Sequence, residues 1–140
     1  MADPLVNNDS KSDVATYDIL VDGKILDPSF QLLSLSVMKE SNRIPVAKLI
    51  FRDGEAAEKE FSLSNDAAFV PGNKIVIKIG RDTKNVQVFA GIIIMHAVKI
   101  KANGNSELHL ECRDEAVRMT VGSHSKYYEQ LTDADLFNQL

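Results

Sequence analysis

Residues Pro71 to Ala102 read PGNKIVIKIGRDTKNVQVFAGIIIMHAVKIKA, and the reading of this stretch decides the fold. Ile75, Ile77 and Ile79 alternate with Val76 and Lys78, and Val86 and Val88 alternate with Gln87 and Phe89, which is the period-two pattern of strands. Between the runs, Gly80 to Asn85 is a polar connector of residues that tolerate turn geometry, so the passage predicts a hairpin. The second run continues past Gly91 through Ile92, Ile93, Ile94 and Met95 to Lys101, too long for one straight strand of ordinary length. It must bend, and Gly91 is the expected place, because a glycine inside a strand marks a bulge or a tight corner. Curling strands bury one face around a common axis. The predicted fold is therefore mainly β, a small closed or nearly closed antiparallel β-barrel followed by the start of a helix.

Working outward, Tyr17, Ile19 and Val21 alternate with Asp18 and Leu20, and Asp22-Gly23 is the strongest short hairpin signal in the chain. Lys24 to Leu26 supplies a short return strand. Leu33, Leu35 and Val37 alternate with Ser34, Ser36 and Met38, and Ala47, Leu49 and Phe51 share one side of the next strand, which Pro45 opens from a position that needs no donor. Asp53-Gly54 turns the chain into a charged surface excursion over Glu55 to Glu60, and Phe61 and Leu63 tie it back. After the turn at Asn103 to Ser106, Leu108, Leu110 and Cys112 alternate with His109, Glu111 and Arg113. Six or seven strands result, with Leu33, Leu35, Leu49, Phe51, Ile77, Val88, Ile92, Leu108 and Leu110 as the expected core. Thr132 with Asp135 three residues on starts a helix that has no stop before Leu140. The expected organisation is a flexible leader over 1–13, a barrel over 14–114, and over 115–140 the start of a second domain, cut short.

Composition narrows the function classes. The 140 residues are 44% hydrophobic, ordinary for one globular domain, and the net charge of −4 with a pI of about 5.3 gives no footprint for nucleic acid. The charges are interspersed along the chain rather than blocked. One cysteine excludes an internal disulfide. The N-terminus lacks the basic start and apolar core of a signal peptide, and the apolar run Val88 to Val98 falls short of the roughly 20 residues that cross a bilayer, so no membrane insertion is expected.

No catalytic constellation emerges. His109, Glu111 and Arg113 share a strand face, and His109 with Glu111 could be written as two metal ligands, but no third ligand stands at metal spacing. His96 lies in the most apolar run and reads as a hydrogen-bonded residue, and His124 lies in a loop. Cys112 lies on the apolar face and reads as a small buried hydrophobe. Asp114-Glu115 marks a strand end, and Asp133 and Asp135 favour a helix dipole. Phosphate loop, nucleophile elbow and metalloprotease helix are all missing from the sequence. No catalytic residue, no metal ligand and no cofactor is assigned, and the chain is expected not to be an enzyme.

Asn42-Arg43-Ile44-Pro45-Val46-Ala47 with Asp53-Gly54, then Phe61 and Ser64, Pro71-Gly72, the run Ile75 to Gly80, and Phe89-Ala90-Gly91-Ile92 together resemble the N-terminal part of Vgr-type spike proteins. Leu108, Leu110, Asp114, Ala116, Met119, Asp133 and Asp135 also look like that family, which includes the hubs of type VI secretion and other contractile injection systems and phage late control D proteins. The resemblance implies a tube-protein-like barrel that docks a spike to the end of an inner tube. It implies as partners a homotrimer in the full-length protein, a hexameric tube protein and other baseplate proteins. It places the protein in the bacterial cytoplasm during assembly, with export as part of the apparatus. A barrel stacked on a ring meets its neighbour through loops, which makes Arg81, Asp82, Lys84 and Asn85 the candidate docking rim, with a merely solvated turn as the plainer reading. A stand-alone β-barrel that binds a small ligand is the alternative function.

Overall fold

The computed structural model describes residues 15–55, 61–81, 84–123, 125, 127, 129–130 and 132–139. Seven strands form one antiparallel sheet: β1 (Ala15–Val21), β2 (Lys24–Ile25), β3 (Leu32–Met38), β4 (Val46–Glu55), β5 (Lys74–Arg81), β6 (Lys84–Ile100) and β7 (Asn105–Arg113), in the order β2-β1-β5-β6-β7-β4-β3. A short 3-10 turn at Ala67–Phe69 lies between β4 and β5, a second at Glu115–Thr120 follows β7, and α1 spans Asp133–Gln139. Asp22 and Gly23 both have positive φ, as a two-residue hairpin turn between β1 and β2 requires. Thr132 caps α1 as expected: its hydroxyl oxygen accepts from the Asp135 backbone N–H at 3.4 Å, and the Asp135 carboxylate accepts in return from the Thr132 N–H at 3.4 Å.

The long strand β6 bends by changing partners. Its first half pairs with β5 and its second half with β7, and Ile92 is opposite both Lys74 and Arg113. Register shifts put one extra β6 residue on either side of this point, Val88 within the β5 ladder and Ile94 within the β7 ladder. Gly91 stands between these two bulges, and a Cβ there would overlap the Arg113 carbonyl and come within 2.9 Å of the Phe89 ring. No bulge separates Ile92 from Ile93, so these consecutive residues point to opposite faces: both are buried, but Ile93 joins the core and Ile92 does not.

The inward rows Val37–Ala47–Cys112–Ile93 and Leu35–Leu49–Leu110–His96 run across β3, β4, β7 and β6, and Val21–Ile75 and Ile19–Ile77 face them from β1 and β5. Phe51, Phe69 and Phe89 fill the space between, with Phe51 and Phe69 ring centres 5.5 Å apart. Two expectations are corrected. The barrel is not closed: β2 and β3 are the two ends of the order, and among the described residues no ladder joins them. With only two residues, β2 is too short to bridge the seam, which is lined instead by Leu26 and Phe30 packed on the core. Leu33 is 46% exposed, because the register shift between Leu32 and Ser34 turns Leu32 inward opposite Phe51.

Asp53-Gly54 is not the expected turn but an irregularity inside β4, where the ladder to β7 slips between Arg52 and Glu55, and Asp53 is fully buried there. Its carboxylate accepts from the backbone N–H of Leu63 at 2.9 Å and of Ser64 at 3.2 Å, and from the Ser64 hydroxyl, while its carbonyl accepts from Ser106. These bonds pin the return from 56–60, residues that lie outside the described ones, as does the expected leader. No helix among the described residues is long and apolar enough to cross a membrane.

Candidate docking surface

The β5–β6 hairpin end carries the predicted rim. Arg81 and Lys84 close the ladder opposite each other and are exposed, while Asp82 lies outside the described residues. Asn85 is committed within the fold. Its side chain crosses Gly80 to accept from the Thr16 hydroxyl at 2.6 Å and to donate to the Asp18 carboxylate at 2.8 Å, tying β6 to β1 over the intervening β5. A Cβ on Gly80 would stand 2.7 Å from the Asn85 side-chain oxygen, so glycine leaves room for this crossing. The rim thus divides into Arg81 and Lys84, which face outward, and Asn85, which holds the hairpin upright.

The charge reading also changes on folding. Charges that look interspersed in linear order are collected by this hairpin: Lys74 to Lys101 holds six of the 16 Lys and Arg but one of the 20 Asp and Glu. Lys74 pairs with Glu115 at 3.3 Å, and Lys101 pairs with Glu107. Lys78 and Lys84 form no ion pair among the described residues, although Lys78 lies across from Asp18 in the ladder. Beside them, Tyr17, Ile79 and Val86 form one cross-strand row at the mouth of the sheet, with Tyr17 49% and Val86 68% exposed. Cations around a row of exposed apolar side chains suit contact with another macromolecule. The alternation of Val86 and Val88 was visible in the sequence. The exposure of Val86 was not.

The other candidates have structural uses. His109 Nε2 lies 3.1 Å from the Glu107 carboxylate, and Arg113 holds Glu111 at 3.1 Å, so His109 and Glu111 are each engaged with a different neighbour. Among the described residues no group of three or more His, Cys, Asp or Glu is placed to hold a metal. Lys101 and then His109, bonding the Glu107 carboxylate, hold its pKa below the ordinary value. His96 Nδ1 meets the Phe69 carbonyl at 3.1 Å and anchors the loop before β5, while His124 lies outside the described residues. Burial, and secondarily the charge of Glu111, pushes the Cys112 thiol up to about 12. The ligand-barrel alternative meets an interior filled by phenylalanines. The indentation at the seam beside Tyr17, Leu26 and Phe30 is about 170 Å³, below the roughly 300–1,000 Å³ of small-molecule sites, and the larger cavities among the described residues are open surface grooves, not a chamber inside the sheet.

No curated protein matches the chain. The model of the Alg8 N-terminal domain family matches residues 11–140. The motif-based assignment to Vgr-type hubs gives way to this match. The spike-to-tube role, the homotrimer, the hexameric tube protein and the baseplate partners rested on that assignment and are withdrawn with it. Turn glycines and alternating strands made up most of the motifs behind it, and such features recur across β proteins. With its match running through all seven strands and both later helical segments, the chain belongs to the Alg8 N-terminal domain family.

Proposed function

We propose that this domain binds another macromolecule through the end of its β5–β6 hairpin and is not itself a catalyst. The observation that carries the reading is the row Tyr17–Ile79–Val86, exposed at Tyr17 and Val86, with Lys84 on its face and Lys78 on the other face of the same hairpin, neither lysine in an ion pair among the described residues. Exposed apolar side chains next to unneutralised cations favour an anionic surface that also offers an apolar contact. The scaffold is suited to this use, since Asn85 and Gly80 fix the hairpin end against β1, and a pre-ordered surface loses less entropy on binding. Family membership names a domain and assigns no reaction to any residue here.

Two measurements test the proposal. A fluorescent poly-glutamate peptide bound to the chain at low salt should bind about tenfold more weakly when Lys78 and Lys84 are both changed to Gln. Incubation with nucleoside-diphosphate sugars and divalent cations should release no nucleoside diphosphate above the protein-free rate. Turnover of such a donor, lost on mutation of residues in this domain, would contradict the non-catalytic reading. Unchanged peptide affinity in the double variant would contradict the assigned surface.

A further inference from the structure

The end of the molecule opposite the hairpin carries a groove of complementary character. β1 begins opposite Arg81 and ends opposite Ile75, so the two ends lie about 20 Å apart along the strand. At the far end an open groove of about 490 Å³ has Val21, Leu26 and Phe30 among its apolar lining and Asp22, Asp27 and Asp66 along it. Each carboxylate is oriented by one backbone N–H: Lys74 donates to Asp22 at 2.9 Å, Ser29 to Asp27 at 2.8 Å and Ala68 to Asp66 at 2.8 Å. None of the three forms an ion pair among the described residues, and Lys24 is the cation in the lining. Hydrogen bonding from Ser29 also holds the Asp27 carboxyl below its ordinary pKa.

We infer that the hairpin end of one copy docks in this groove of a second copy, Lys84 from one face of the hairpin and Lys78 from the other against the carboxylates, and Val86 toward the apolar lining. The inference rests on the reading of the hairpin end as a docking surface and names its occupant. Charge complementarity selects the partner. Outside Lys74 to Lys101 the chain holds ten Lys and Arg against 19 Asp and Glu, so a polyanion such as nucleic acid is repelled by most of the surface. A second copy brings both halves of the match, an acidic apolar groove for the hairpin end and a hairpin end for the groove. Because the two surfaces sit at opposite ends, the contact is heterologous and adds copies head to tail instead of closing on a two-fold axis.

Sedimentation of the whole chain tests this, comparing a low-salt buffer with about 0.5 M salt, where the Debye length falls to a few ångströms. Wild type should grow in mass with concentration at low salt, passing beyond the dimer, and revert to monomer at high salt. Lys78→Gln with Lys84→Gln should be monomeric. So should Asp22→Asn, Asp27→Asn and Asp66→Asn combined, a variant that keeps an acceptor oxygen for each backbone N–H and therefore the fold. Mixed together, the two variants retain one intact hairpin end and one intact groove per pair, so they should form one-to-one pairs and nothing larger. Monomeric wild type at low salt, association that survives high salt, or variants that associate like wild type would each overturn the inference. If wild type stays monomeric but still binds poly-glutamate through Lys78 and Lys84, the docking surface stands and the second copy is excluded as its occupant.

Discussion

At the residue scale, several side chains have uses that only three-dimensional neighbours define. Asn85 reads in the sequence as a turn residue, yet it bonds Thr16 and Asp18, which lie 69 and 67 positions away. Asn85→Ala should cost about 1–3 kcal/mol in denaturant melts, because a part-buried donor and acceptor lose their partner together. A change under about 0.5 kcal/mol would make it an ordinary surface turn residue. Gly91 was legible as the site of the bend, but its reason was not: the Arg113 carbonyl packs against it. Gly91→Ala should destabilise by about 1–3 kcal/mol through overpacking, against little effect if the backbone were free to shift. Cys112 was correctly placed inward from alternation alone. With its thiol pushed up to about 12, it should resist thiol reagents at pH 8 in the folded chain and react only as the protein unfolds.

Strands and their registers form the next scale. Alternation placed β1, β3, β4, β5 and β7 because each keeps a period of two against one core, as the burial of β7 does without a break. It failed at Leu33, where the ladder slips, and gave no sign of the slips at Val88 and Ile94, since a bulge is a property of two paired strands and leaves little trace in either. Leu110→Ala removes an almost fully buried side chain from the row Leu35–Leu49–Leu110–His96 and should cost about 2–5 kcal/mol. The outward side of β7 gives a pH dependence. Glu107 is held below its ordinary 4.5 chiefly by Lys101 and then by His109, so the folded state binds a proton less readily there than the unfolded chain. Its contribution is complete above the unfolded value and is lost as pH falls through the folded one. Glu107→Gln should therefore flatten the acid side of the stability curve below about pH 4.5, and an identical acid limb in both proteins would show the pairing to be inert.

Across the whole molecule, the mainly β class, the antiparallel hairpins and a count of six or seven strands could be read from turn signals and alternation, whereas the strand order could not. Closure could not, because it depends on whether β2 is long enough to reach β3, and two residues are not. The proposed docking surface draws only partly on residues legible in the sequence: Arg81 and Lys84 stood out as a polar connector, whereas the apolar row near them and the acidic groove at the far end are assembled from residues scattered from Tyr17 to Val86. The central claim is that a rigid hairpin end, cationic and partly apolar, is where this domain meets its partner. Backbone amide shifts of the isotope-labelled chain, followed while unlabelled poly-glutamate is added at low salt, test it most directly. The account predicts changes concentrated at Tyr17, Ile79 to Arg81 and Lys84 to Val88, absent after Lys78→Gln with Lys84→Gln. Changes centred on the outward face of β7, or spread evenly over the sheet, would contradict it.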